Sequence, residues 1–294
     1  MNINGKEILR VFPRKTKATP DDPMAVIGAP TRAILNAGCF DEVHISVTFT
    51  YDIPKAETLA KKWEKAGVPV IVGGPAFGDR MTQSFTPGLY VKNGYTFTSR
   101  GCPNHCWFCS VWKAANGRII ELPITAGWNI LDDNILATSP EHFKAVIEML
   151  KRQTERPIFT GGIEPAQVKP WHAQLMREAS TKRLYCAYDT PDDYEPLVEA
   201  GRIFQEAGFT KTSHALSCYV LVGYKGDTFE KAEKRLIDTV KAGFMPYAML
   251  YRDQNGAVDE QWGKFQREWC RPMIVATKVR EIWKEDKMPG GGTG

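Results

Sequence analysis

Three cysteines, Cys102, Cys106 and Cys109, stand within eight residues in the run Thr98-Ser-Arg-Gly-Cys-Pro-Asn-His-Cys-Trp-Phe-Cys109. Their C-x3-C-x2-C spacing, on a loop opened by Gly101 and Pro103, lets three thiolates fold around one soft metal centre. They fall one ligand short of a closed four-thiolate site. An iron–sulfur cluster held this way keeps one iron without a protein ligand, free to bind a substrate or cofactor. Zinc is the alternative, with His105 as fourth ligand, although a histidine adjacent to Cys106 makes simultaneous ligation awkward. The other cysteines, Cys39, Cys186, Cys218 and Cys270, are scattered, and buried cysteine commonly serves as a small hydrophobe.

The elements that must position this loop follow from periodicity. Strand patterns at 7–12, 43–49 and 68–72 alternate with helical patterns at 31–37 and 55–66, the second carrying Leu59 and Trp63. That alternation predicts a small parallel α/β unit, with a loop before Pro30 and a linker over Pro75–Pro87. From Gly94 the alternation restarts, with strands expected at 95–99, 128–131, 157–160, 184–188, 215–222 and 246–250. The first runs straight into the cysteine loop. Ser139 caps a helix with Pro140 at its first position, and Phe143, Val146, Ile147 and Leu150 form its apolar face. Later helices are expected to bury Val168, Trp171 and Leu175, then Leu197, Val198 and Phe204, then Phe229, Leu236, Ile237 and Val240. Six such steps imply a barrel or partial barrel of parallel strands, with catalytic groups at the carboxyl ends. There lie Asp132-Asp133-Asn134, Gly161-Gly162, Asp189-Thr190, Gly223 and Tyr251-Arg252-Asp253. The expected organisation is 1–92 for the first unit and linker, 93–255 for the barrel, and 256–294 for a helical extension. In that extension Trp262, Phe265 and Trp269 seal the core, a second helix spans Pro272–Trp283, and Pro289–Gly294 is a disordered tail.

Composition bounds the class. The 294 residues are 43% hydrophobic and 24% charged, ordinary for a globular chain, and the net charge of +4 is well short of a nucleic-acid-binding tail. Nothing in the sequence reaches the roughly 18 apolar residues of a membrane span. The start has no apolar signal-peptide core. Seven cysteines, three of them clustered, point to a reducing cytoplasm and a metal site, not to a disulfide framework.

The chain resembles the radical S-adenosylmethionine (SAM) superfamily. The likeness rests on Cys102-x3-Cys106-Trp107-Phe108-Cys109, on Gly161-Gly162-Ile163-Glu164, and on Tyr219-Val-Leu-Val-Gly223-Tyr-Lys-Gly226-Asp227-Thr228, and it covers residues 93–255. It implies a partial (β/α)6, TIM-like barrel with a [4Fe–4S] cluster on Cys102, Cys106 and Cys109. SAM would occupy the open iron, and reductive cleavage would give a 5′-deoxyadenosyl radical that abstracts hydrogen from an unidentified substrate. A one-electron donor such as flavodoxin or ferredoxin would drive it. The implied cofactor contacts are Phe108 by the adenine, Gly161, Gly162 and Glu164 near the methionyl amino group, Tyr188 or Asp189 at the ribose, and Val220 to Gly223 beside the adenine. Ile163 interrupts the Gly-Gly-Glu usual in the family. Candidate catalytic groups are Cys218 (or Cys186) as a hydrogen-atom donor, Tyr219, and Arg252 as a bidentate grip on carboxylate or phosphate. Arg118 and Glu121, after the loop, are either a lid or a solvated pair. Modification of RNA or a polypeptide is a variant of the same chemistry; a zinc-stabilised binding module is the alternative from another class. The first unit, with Val72-Gly-Gly-Pro75 near its end, resembles a Rossmann-like cobalamin-binding domain. It lacks Asp-x-His-x-x-Gly, and His44 lies in a strand, so no cobalamin is expected.

Overall fold

The structure is a computed structural model that describes residues 2–3, 5–77, 85, 88–253 and 255–285. The chain is mixed α/β with parallel sheets. It divides into two compact units, residues 1–97 with 253–256, and residues 98–252 with 257–294. No helix among the described residues is long and apolar enough to cross a membrane.

The first unit contains β1 (Asn2–Ile3), β2 (Lys6–Phe12), β3 (Ala25–Ile27), α1 (Arg32–Ala37), β4 (Glu42–Ser46), α2 (Ile53–Lys65) and β5 (Val70–Gly73). β2 pairs in parallel with β3 and β4, and β4 with β5, while β1 returns antiparallel on β2. Leu9, Val11, Val43 and Ile45 are buried beneath α2, whose Leu59 and Trp63 face them. The Trp63 indole N–H donates to the Gly28 carbonyl at 3.1 Å. The loop expected before Pro30 contains β3. It forms because Arg10, Val11 and Phe12 pair with Ala25, Val26 and Ile27; three residues are too short a pattern to read from the sequence. The expected linker is partly packed. Ala76 N–H donates to Val47 O at 2.9 Å, and the buried Phe85 ring stacks on His44 at 5.2 Å. Residues 78–84 and 86–87 lie outside the described residues. His44 itself is buried with both nitrogens engaged, one by Tyr90 Oη at 2.6 Å and the other by Glu42 at 2.9 Å.

A six-stranded sheet follows the order β13–β12–β11–β10–β9–β6, with β6 at Tyr95–Thr96, β9 at Asn129–Ile130, β10 at Ile158–Ile163, β11 at Arg183–Tyr188, β12 at Leu216–Val222 and β13 at Met245–Leu250. Every pairing from β9 to β13 is parallel. The connecting helices are α4 (Pro140–Lys151), α5 (Pro170–Glu178), α6 (Tyr194–Glu206) and α7 (Phe229–Lys241), followed by α8 (Glu260–Cys270) and α9 (Pro272–Glu285). Ser139 caps α4 by accepting from His142 N–H. The expected tail, 289–294, lies outside the described residues.

Three expectations change. The single strand 95–99 splits into β6 and a separate β7 (Ser99–Arg100), which pairs antiparallel with β8 (Ile120–Glu121). The turn between them is set by Asp132, whose carboxylate accepts from Thr98 N–H, Thr98 Oγ1 and Ser99 Oγ at 2.6–2.7 Å. β10 does not end at Thr160 but runs through both glycines to Ile163, with an irregular register after Phe159. Helix faces are narrower than expected: α5 buries His172, Ala173 and Met176, while Trp171 and Leu175 are only half-buried. Val198 and Phe229 are each 37% exposed. A helix turns one face of about 100° to its sheet, so Val198, beside the buried Leu197, points elsewhere.

Candidate functional site

The cysteine loop is an excursion from the β7–β8 ribbon. Leu122 N–H donates to Thr98 O at 2.9 Å and closes its base. Gly101, just before the first cysteine, has φ +93°, and a Cβ there would lie 2.0 Å from Arg118 O. Only glycine permits that approach. Gly101 N–H donates to Asp133 at 2.8 Å. Farther on, Cys109 N–H donates to Cys106 O at 3.1 Å, and the Trp112 indole donates to the same carbonyl at 3.0 Å. A short helix, α3 (Val111–Ala115), then leads into a left-handed turn at Asn116 and Gly117.

The three cysteines are not disulfide-bonded and are half-buried. In donor chemistry they fit an iron–sulfur cluster: all are soft, and two already accept hydrogen bonds of the kind that tune cluster sulfurs. Val111 N–H lies 3.4 Å from Cys109 Sγ, and Asn134 Nδ2 lies 3.6 Å from Cys102 Sγ. Asn134 Oδ1 is buried with no partner. Burial, then the neighbouring Cys109 and Cys102, pushes the Cys106 thiol up to about 11. A cationic metal centre reverses that order by stabilising thiolate. Among the described residues, no group of three or more His, Cys, Asp or Glu side chains is arranged to hold a metal ion. The loop thus supplies the right donors without converged side chains.

A cavity of about 280 Å³ opens beside the loop. His105, Cys106, Trp107 and Phe108 form one wall; Glu164, Ala187, Asp189, Thr190 and Asp193, from the carboxyl ends of β10 and β11, form the other. Glu164 accepts from Asn104 Nδ2, tying the loop to β10. Burial raises the Glu164 carboxyl. Asp189 is raised to about 7, first by burial and then by Asp193. Its Oδ1 accepts from Leu221 N–H at 3.0 Å. Asp193 accepts from the N–H groups of Asp189 and Thr190 at 2.9 and 2.7 Å. Carboxylates facing aromatic rings make a lining suited to a cation.

Of the residues singled out from sequence, Cys106, Phe108, Glu164 and Asp189 meet at this cavity, with Cys102 and Cys109 on the same loop. The others stand elsewhere. Gly161 is needed for strand packing, since a Cβ would sit 2.0 Å from Asp132 O, whereas Gly162 takes φ +107° with open space around it. Tyr188 is buried beside Tyr194, with burial raising its hydroxyl to about 12. Val220 and Cys218 alternate onto the side packed against α7, where Thr239 hydrogen-bonds the Cys218 thiol. Gly223, at φ +77°, makes a turn whose N–H donates to Asp227 at 2.9 Å. Tyr219 is on the opposite face from Cys218; it stacks on Tyr185 at 4.5 Å and donates to Thr160 O at 3.2 Å. Arg252 is exposed and does not line the cavity. Glu121 accepts from Ser139 N–H at 2.7 Å and lies 3.6 Å from His142 Nδ1. His105, the fourth ligand of the zinc alternative, also lines the cavity. Asn104, Asp193 and the bracing roles of Asp132 and Asp133 were missed; the Asp-Asp-Asn turn at a strand's carboxyl end was the available signal.

A scan against protein-family models and a search of curated proteins both find no match for this chain.

Proposed function

We propose that the chain is a radical SAM enzyme, with Cys102, Cys106 and Cys109 holding a [4Fe–4S] cluster and SAM binding in the adjoining cavity. One observation carries it: a loop with three cysteine thiols opens on a cavity whose far wall is Glu164, Asp189 and Asp193. That lining suits the ammonium and sulfonium of SAM, and a cluster held by three cysteines would leave one iron open to it. On this proposal β6 and β9–β13 are the strands of a partial (β/α)6 barrel, with the cysteine loop following its first strand.

When bound, the cluster and SAM supply a 5′-deoxyadenosyl radical able to abstract hydrogen from a substrate. The chain's own residues bind and enclose. Glu164, fixed by Asn104, and Asp189, fixed by Leu221 N–H, place negative charge opposite the thiols. Phe108 and Trp107, whose rings meet edge to face at 5.3 Å, give the cavity an apolar wall. His44 is committed to Tyr90 and Glu42, so no cobalt ligand enters this account.

Anaerobic reconstitution with iron and sulfide, reduction with dithionite in the presence of SAM, and chromatography for 5′-deoxyadenosine test it. Wild type should bind about four iron and four sulfide per chain and release 5′-deoxyadenosine, and Cys102→Ala should do neither. Zinc without sulfide, or equal product from Cys102→Ala, would show the proposal to be wrong.

A further inference from the structure

The amino ends of the parallel strands carry charge of opposite sign to the acidic cavity at their carboxyl ends. Four loops lead into β10, β11, β12 and β13, at residues 152–157, 179–182, 207–215 and 242–244. Those strands are neighbours in that order, so the loops stand in a row three strand spacings long, about 14 Å. Contacts join each loop to the next. The Arg156 guanidinium donates to Ser180 O at 2.9 Å and Thr181 O at 3.4 Å. A Cβ on Gly208 would lie 3.4 Å from Arg177 Nε, and one on Gly243 3.5 Å from Lys211 Cε. Along this row Arg152, Arg156, Arg177, Lys182 and Lys241 are exposed and Lys211 is half-buried, and none forms an ion pair with a described residue. The acids at this end are fewer: Glu178 reaches Lys151 at 3.4 Å, Glu206 pairs with Arg202, and Glu155 is exposed. Arg152, Arg177 and Lys241 close helices, where a cation offsets the negative end of the dipole. Arg156, Lys182 and Lys211 lie past those helices and have no such role.

We propose that this basic row binds the phosphate backbone of duplex DNA without reading its sequence. Unpaired arginines and lysines on a braced surface displace the counterions that a duplex condenses. The aromatic rings of the loops, Phe209 and Phe244, are buried, so a single strand would find no ring on which its bases could stack. None of the exposed large apolar side chains lies in the four loops, which leaves a lipid surface nothing to bury. The hydroxyls of Thr210, Thr212 and Ser213 are hydrogen-bonded within their own loop, so the row offers point charges for phosphates and little for ribose hydroxyls. Its length of about 14 Å spans the major groove of B-form DNA, about 12 Å wide, from one phosphate edge to the other; the major groove of A-form RNA is narrower. Glu164, Asp189 and Asp193 repel the same backbone, so DNA and the ligand of the cavity take opposite ends of the strands. A net charge of +4 conceals this, because the fold and not the composition gathers the cations. DNA binding here is independent of any metal at the cysteine loop.

The test is fluorescence anisotropy of the full chain with a labelled DNA duplex of about 20 base pairs, from about 50 to about 300 mM salt. Six phosphate contacts predict a slope of log affinity on log salt near about −5. Arg152→Gln/Lys182→Gln/Lys241→Gln should flatten that slope by about three and weaken binding by at least about tenfold at about 100 mM salt. The charge-keeping variant Arg152→Lys/Lys182→Arg/Lys241→Arg should bind as wild type does. So should Lys61→Gln/Lys62→Gln/Lys65→Gln, the same loss of charge on exposed α2 residues. Binding without salt dependence, an equal loss in the α2 variant, or a loss in the charge-keeping variant overturns the DNA face. Duplex RNA, polyglutamate or anionic lipid vesicles bound as tightly as the DNA overturns it as well.

Discussion

Replacing Asp189 with Asn should stabilise the protein above neutral pH and leave it unchanged in acid. The carboxyl, ordinarily near 3.8, is raised to about 7 because burial and Asp193 both disfavour its charge. The unfolded chain ionises it near 3.8, so between there and about 7 the folded state binds more protons. Stability therefore falls as pH rises through that window and is level above it. At about 1.36 kcal/mol per pH unit, the gap corresponds to about 4 kcal/mol. Asp189 keeps part of its surface at the cavity, and water there halves the expected figure to about 2 kcal/mol. Asn preserves the acceptor for Leu221 N–H, so no hydrogen bond is lost. Urea unfolding between pH 4 and pH 8 measures the effect. The variant's advantage should grow with pH and reach about 2 kcal/mol at pH 8. A constant difference across the range, or a variant less stable at pH 8, would refute the reasoning. On the proposed function, the same charge should make SAM binding pH-dependent. A cation favours ionised Asp189, so wild-type affinity should rise as pH passes through about 7, whereas the Asn variant should bind more weakly and without that rise.

Gly101→Ala forces a Cβ to within 2.0 Å of Arg118 O at a φ of +93°; a loss of roughly 3 kcal/mol is expected by thermal unfolding, with less iron bound on reconstitution. Asp132→Ala leaves one N–H and two hydroxyls without their acceptor, and should cost roughly 3 kcal/mol in urea and reduce iron content with all three cysteines intact. Tyr219→Phe removes one hydrogen bond to Thr160 O and keeps the stack on Tyr185. It should cost about 1 kcal/mol and leave dithionite-driven 5′-deoxyadenosine formation near wild type; a loss of product without a loss of stability would make Tyr219 part of the reaction.

What was legible in the sequence was whatever depends on local pattern. Ser139-Pro140 started α4 where expected, Gly38 ended α1, and the strands expected at 128–131, 184–188, 215–222 and 246–250 appear over their apolar runs. The split of 95–99 was not legible because an acid 33 or 34 residues downstream causes it. A sequence shows Asp132 as a polar turn residue and cannot show what it will bind. The glycine pair misled for a related reason. Gly161 and Gly162 are adjacent, yet one meets a neighbouring strand and the other adopts a left-handed backbone in open space. Cys218 and Tyr219 separate for the simplest reason: consecutive strand residues face opposite sides, and only the fold says which side holds the cavity. Asp193 escaped because it lies past the strand end, in the turn after Thr190 that its own carboxylate caps.

The bracing of the cysteine loop bears on what a metal centre there would have to do. Ordering a residue's backbone costs about 1–2 kcal/mol, so ordering the eight residues from Cys102 to Cys109 would cost on the order of 10 kcal/mol if the loop were free. That is comparable with the total apparent binding energy of small structural metal sites, about 10–16 kcal/mol. Here the chain's own bonds brace the loop: Gly101 is bonded to Asp133, Cys106 O accepts from both Cys109 N–H and Trp112, and Asn104 is bonded to Glu164. A metal centre there would then have mainly side-chain rotamers to order and thiol protons to displace. The cysteines would provide the donors, but the Asp132-Asp133 turn and Glu164, just past the ends of neighbouring strands, would decide how much of the binding energy survives. A C-x3-C-x2-C run grafted onto a loop without those carboxylates would carry the same ligands and bind them more weakly.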